Sequence, residues 1–425
     1  MTATRSHDPT RLPDRALVSD PAPVPEPTRS RTAVAPQVTP ERPHRILTPI
    51  SMIGLTVGWS SVLAVTAGHA TLSTHLPTAA LTAVLAAIVA VIILCAFGVV
   101  AQAERLADRL GDPYGTLVLT LSVVIVEVIL ISAVMFAPGG DRSAARDSVM
   151  AVSMIILDLV IGAAMVIAAL VARRRHRDAQ QANRRGVATY LSLIAVLATM
   201  GLALPRVIGA HGTLSTPAAV AVAVVTIGLY TAFLVHQLGS GRSDFQEVDH
   251  AAPRRRGSVY PSRADGSVRS VLLGHRREIA LRAVVLMLLI LPIVALSHTM
   301  ATLLHDALDR VGAPVALSGV LIAMIVFLPE AITTLRSSAA GQMQRVSNLC
   351  HGALLSTLGL TIPAVLAVGL ITDQTVVLGE STVNLAFLAA TVLISAITFS
   401  RAQVTAWAGF AHLVVFTAYA VTLFT

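Results

Sequence analysis

The stretch GDPYGTLVLTLSVVIVEVILI, residues 111–131, decides how this chain is read. From Tyr114 onward it is apolar or small at nearly every position, with one acid, Glu127, past its middle. A helix that crosses the hydrocarbon core of a bilayer needs ~20 such residues. A carboxylate at that depth costs ~2.5–3.5 kcal/mol on insertion scales. Ionisable groups inside a span therefore usually face the interior of a helix bundle, where they bind or relay something.

The rest of the chain agrees with a membrane setting. Of 425 residues, 55% are hydrophobic and 13% charged, with a mean hydropathy of +0.75. A soluble domain is ~25% charged. Apolar runs recur at 47–69, 78–101, 114–137, 148–172, 188–209, 217–239, 279–303, 313–335, 346–371, 381–400 and 404–424. The expectation is an all-α polytopic membrane protein with about eleven transmembrane helices. Residues 1–46, rich in Pro and Arg without an apolar period, read as a disordered tail. Residues 240–278 read as a polar linker loop.

The net charge of +8 comes entirely from arginine, since the chain has no lysine. These arginines sit in the tail and the loops, with few aromatics among them, which excludes a nucleic-acid site. They serve better as topology signals. The segment RRRHRDAQQANRR at 173–185 and the 240–278 loop, with Arg254, Arg255, Arg256, Arg276 and Arg277, are separated by two spans and so share one side. The positive-inside rule puts both in the cytoplasm with the N-terminus, and an odd span count puts the C-terminus outside. Arg142 and Arg146 stand against this scheme, because their loop falls outside.

An internal repeat relates two parts of the chain. LADRLGDPYGTLVLTLSVVIVEVILI from Leu106 and ALDRVGAPVALSGVLIAMIVFLPEAITTL from Ala307 share an Asp-Arg-x-Gly-x-Pro entrance, an apolar helix and then a glutamate. Five spans separate the copies, so the second is inverted relative to the first. Inverted repeats with a site at their shared midplane are a transporter architecture.

Glu127 and Glu330 are thus equivalent and are the candidate cation- and proton-binding residues. Thr116 and Thr120 share a helical face with Glu127, and Ser122 is near it. Thr333 and Thr334 follow Glu330 by one turn, and Pro329 leaves the carbonyl of Ile325 without its usual amide donor. Ser356 and Thr357 on the ninth span are expected to complete the second half-site. Together these offer a hard-oxygen set that suits Ca2+, and less selectively Na+ or K+. Serine and threonine are also ordinary at helix interfaces and often bond their own preceding turn. Asp158 is a third intramembrane acid, a proton relay or the partner of an arginine near a helix end. Cys95 and Cys350 lie in apolar runs without metal-ligand spacing. No HExxH and no phosphate-binding GxxxxGK[ST] occurs, so neither a zinc protease nor an ATPase is encoded, and no cofactor is expected. Transport then draws on an ion gradient.

Two segments carry a family resemblance: GDPYGTLVLTLSVVIVEVILI, and GAPVALSGVLIAMIVFLPEAITTLRSSAAGQMQRVSNLCHGALLSTLGLTIPAV from Gly312. With AERLADRLGDPYG and QRVSNL as specific matches, the chain from residue 47 on resembles bacterial ChaA-type Ca2+/H+ antiporters of the cation/Ca2+ exchanger superfamily. The resemblance implies one extra N-terminal helix (47–77) and two inverted five-helix repeats (78–239 and 279–425). It also implies that Glu127 and Glu330 bind Ca2+ and H+ in alternation, in the inner membrane of a bacterium. Vacuolar relatives carry Gly-Asn shortly before each acid; Val123-Val124 and Val326-Phe327 stand there in this chain. The expected function is a secondary active transporter, not an enzyme, that exports Ca2+ against H+. A Na+(K+)/H+ antiporter on the same acids is the alternative, and a passive cation channel a more distant one.

Overall fold

The computed structural model describes residues 47–68, 76–110, 114–135, 142–176, 181–245, 268–314 and 316–424, the side chains of 107–120, 268–276 and 316 excepted. The tail at 1–46 and the centre of the linker loop lie outside the described residues.

Eleven helices run through the described residues: α1 (Pro49–Ala67), α2 (Thr78–Leu110), α3 (Tyr114–Met135), α4 (Ala144–Arg174), α5 (Arg184–Ile208), α6 (Thr216–Leu238), α7 (Val268–Val311), α8 (Ala316–Ala339), α9 (Met343–Ile371), α10 (Thr382–Phe399) and α11 (Ala406–Thr422). Nine stretches among the described residues are long and apolar enough to cross a membrane; Leu121–Met135 of α3 and Ala406–Thr422 are shorter apolar helices. Caps mark several starts. Thr48 accepts from the Ser51 amide with Pro49 in the first turn, and Ser381 and Thr405 accept from the amides of Asn384 and Ala408. Two helices outrun their apolar cores. Helix α2 continues to Leu110 and α7 starts at Val268, because helix formers such as Ala, Glu, Arg and Leu extend a rod beyond the bilayer without needing apolarity.

Packing follows the repeat. Helices α3, α4, α8 and α9 pack on one another at the centre. Helix α3 meets the middle of α9, and five helices along α8 meets the middle of α4. Helix α6 lies on α9 as α11 lies on α4, while α2 pairs with α7 and α5 with α10. Each contact is reproduced when every helix is exchanged for its counterpart five places away in the other half, as two equivalent five-helix halves require. Helix α1 stands apart from this scheme and packs on α2 and α7. Exposed Met52, Leu63, Val224, Val235, Leu393 and Val414 turn apolar surface outward on the peripheral helices, as a lipid-facing surface demands.

Three helices contain a π segment: Ile155–Val160 in α4, Thr199–Ala203 in α5 and Thr357–Thr361 in α9. Pro205 and Pro363 follow the latter two closely. A proline takes the amide donor away from the carbonyl four residues back, here Gly201 and Gly359, both inside the widened turns. Helix α4 reaches the same geometry without a proline.

Candidate functional site

Glu127 on α3 and Glu330 on α8 are 3% and 7% exposed. Neither points into lipid. They lie within electrostatic reach of one another, and Glu330 is also within reach of Glu104 on α2. Glu127 Oε2 accepts hydrogen bonds from Thr357 Oγ1 at 3.0 Å and Thr361 Oγ1 at 2.8 Å, both from the π segment of α9. Glu127 Oε1 and both carboxyl oxygens of Glu330 are buried with no hydrogen-bond partner. Buried polar oxygens are nearly always paired. Three left unpaired, on two neighbouring acids, form a ready set of ligand oxygens.

The supporting residues divide. Thr357 joins the site, but on the acid of the first repeat, whereas the sequence placed it in the second half-site. Thr333 Oγ1 donates to the Pro329 carbonyl at 3.0 Å and Ser356 Oγ to the Ala353 carbonyl at 2.6 Å, so both hydroxyls bond their own preceding turn. Thr334 is fully buried against the Cys350 thiol at 3.8 Å. Ile325 and Ser122 are buried on α8 and α3. The side chains of Thr116 and Thr120 lie outside the described residues. Asp158, in the π segment of α4, accepts from Thr391 on α10 and pairs with His412 on α11, at 2.6 and 2.9 Å.

Sequence reasoning missed Thr361 and Glu104. Thr361 lies four residues after Thr357, the spacing that puts two hydroxyls on one helical face. Glu104 lies beyond the apolar run, where hydropathy ended the second span at residue 101. Among the described residues no group of three or more acidic, histidine or cysteine side chains could hold a metal ion, so any cation here relies on two carboxylates plus hydroxyl and carbonyl oxygens.

The family described as sodium/calcium exchanger protein matches residues 80–239, from within α2 to just past the end of α6. The y4hA protein of Sinorhizobium fredii (strain NBRC 101917 / NGR234) is 31% identical over 327 residues, 76% of this chain and 83% of that one. The chain belongs to the cation/Ca2+ exchanger superfamily. This exchanger is also 28% identical over 339 residues to the sodium-potassium/proton antiporter ChaA of Escherichia coli (strain K12), with 77% and 85% of the two chains covered. Its fold is that of native YfkE (TM-score 0.65, 16% identity, 88% of this chain and 99% of that one). It is also that of the H+/Ca2+ exchanger CAX (TM-score 0.60, 13% identity, 87% and 88%). The exchanger is thus an all-helical, multi-pass membrane protein of a family of transporters.

Proposed function

We propose that this exchanger is a proton-coupled secondary antiporter that exports Ca2+ in exchange for H+. Ion and protons alternate on Glu127 and Glu330. One observation carries the reading: two buried glutamates from opposite repeats, within electrostatic reach, with three carboxyl oxygens unpartnered. Two like charges in a low-dielectric interior repel, and either a divalent cation or protons relieve the repulsion. Protonated carboxyls no longer attract the cation, so the two ligands exclude each other. The Thr357 and Thr361 hydroxyls hold Glu127 oriented through the cycle. Alternating access then moves the α3/α4/α8/α9 core relative to the surrounding helices.

A Na+(K+)/H+ antiport on the same acids is the second reading, favoured by the ion named for the Escherichia coli relative. The bacterial inner membrane is the expected location, with the N-terminus cytoplasmic and the C-terminus outside.

The test is cation-driven proton movement in proteoliposomes, with Ca2+, Na+ and K+ supplied in turn. Exchange with Ca2+, lost in both Glu127→Gln and Glu330→Gln, is expected. Exchange with Na+ or K+ alone selects the second reading. Retention in either variant removes that glutamate from the mechanism, and conductance without proton coupling restores the channel.

A further inference from the structure

Outside the glutamate pair, a second titratable cluster is buried between α4, α10 and α11. Asp158 and His412 are both 0% exposed, with His412 Nδ1 at 2.9 Å from Asp158 Oδ1. Thr391 Oγ1 donates to the other carboxylate oxygen at 2.6 Å. An ionised carboxylate can only accept, so Nδ1 carries the hydrogen and Nε2 presents a lone pair. That Nε2 is buried and has no partner. A carboxylate behind one ring nitrogen and an open lone pair on the other make an acceptor for one proton, since the carboxylate stabilises the imidazolium that forms.

The charge balance supports the same conclusion. With Asp158 ionised and the imidazole neutral, the cluster carries a net charge of minus one. Loaded with a proton on Nε2, it is an ion pair with no net charge. The Asp158 carboxylate is held by two donors, the Thr391 hydroxyl and His412 Nδ1. The titratable neighbours set against His412 are Asp158 from α4 and His351 from α9, which lies within its electrostatic reach. Helix α10 contributes the neutral Thr391 hydroxyl. His351 Nδ1 lies 3.0 Å from the Ser347 carbonyl oxygen, and its Nε2 is likewise buried without a partner. The π segment that carries Asp158 also packs on α8 and α9, the helices that bear Glu330 and the Thr357/Thr361 pair. A change of charge at Asp158 and His412 therefore acts on helices that shape the cation site.

We propose that Asp158 and His412 form a second proton-binding site of this exchanger, separate from the glutamates, with His412 Nε2 as the atom that takes the proton. Its ligand is a hydrogen ion drawn from and returned to the aqueous phases during the cycle. The proposal rests on the antiport reading only for the word cycle, because the protonation itself is measurable without transport.

Two measurements test it. In the first, the full chain carries 15N-labelled histidine and is titrated by NMR between about pH 5 and 8, the range in which histidine changes charge. One resonance that titrates in wild type is expected to vanish in His412→Gln and to shift in Asp158→Asn. The second is the number of protons moved per cation in proteoliposomes, read from the gradient at which exchange reverses. His412→Gln is expected to lower that number while still exchanging. If His412→Gln does not fold, Asp158→Asn and Thr391→Val, which keep the imidazole, must each shift the same resonance. A His412 resonance that does not titrate, or an unchanged proton-to-cation ratio in folded His412→Gln, overturns the proposal. Loss of exchange in Glu127→Gln beside an unchanged ratio in His412→Gln sinks this site alone. Retained exchange in both glutamate variants sinks the glutamate reading and leaves the histidine titration to be judged by itself.

Discussion

Thr361 on α9 donates its hydroxyl to Glu127 on α3 at 2.8 Å, although 234 positions separate them in the chain. The bond joins the second repeat to the acid of the first. A hydroxyl that donates to a carboxylate stabilises its ionised form, the form that binds a cation. Thr361→Val keeps the shape and removes the donor. The apparent KM for the transported cation is expected to rise about tenfold, the equivalent of ~1.4 kcal/mol for a hydrogen bond to a charged group. Thr361→Ser should restore it. An unchanged KM in the valine variant shows that the bond contributes nothing to the ion-binding state.

Helices α4 and α11 touch at Gly162 and Gly409. A Cβ built on Gly409 would lie 2.5 Å from the Gly162 carbonyl oxygen and 2.8 Å from Val166 Cγ2. The backbones can approach this closely only because both residues lack a side chain. Gly409→Ala is expected to destabilise the protein by ~1–3 kcal/mol through overpacking. Thermal unfolding in detergent reads this directly.

Glu380 lies outside the membrane spans, between α9 and α10, and is 1% exposed. Its carboxyl accepts from the Ser381 amide at 2.5 Å and from Asn384 Nδ2 at 3.1 Å. Burial nevertheless pushes it above the usual carboxylate range, and the Ser381 bond and Arg146 pull back only in part. A raised value means that the folded protein holds this proton more tightly than the unfolded chain does. Its contribution to stability is complete below the ordinary glutamate range and is lost as pH rises through the folded-state value. The melting temperature of wild type relative to Glu380→Gln is therefore expected to fall as pH is raised across that window. A difference that grows with pH contradicts the assignment.

The QRVSNL motif acts as a staple at one end of the core. Gln344 Oε1 accepts from the Asn183 amide at 2.6 Å, and its Nε2 donates to Asn348 Oδ1 at 2.9 Å. Asn348 Nδ2 in turn donates to the Phe245 carbonyl at 2.7 Å. The chain of three bonds ties α9 to the start of α5 and to the segment after α6. Gln344→Ala leaves a backbone amide and an amide side chain short of partners. A loss of ~1–3 kcal/mol in stability is expected, with faster hydrogen exchange at the Asn183 amide, which loses its acceptor. Unchanged exchange at Asn183 would show that the staple is not needed.

Arg142 and Arg146 illustrate how far loop charge can be read from a sequence. Counted along the chain they oppose the topology assigned by the other loops. In the folded protein Arg146 is paired with Asp147 and lies near Glu380, which comes from a loop more than two hundred positions away. The Arg142 carbonyl accepts from the Val377 amide in that same loop. The adjacent Asp147 is visible in a local count, whereas the approach of Glu380 and the bond from Val377 leave no mark in one.

The linear chain alone determined the membrane setting, the eleven rods, the inverted repeat and the two glutamates worth attention. A bilayer imposes a length and an apolarity that can be counted residue by residue, and a repeat survives as spacing. Tertiary structure alone decided which hydroxyls serve the acids. Thr357 and Thr361 cross to the other repeat, while Thr333 and Ser356 turn back on their own helices. It also gave Asp158 its partners on α10 and α11. The physical reason is that helix rotation and depth are set by close contacts such as Gly162 on Gly409 and by widened turns. In spans that are apolar nearly all round, no periodicity announces which face turns inward.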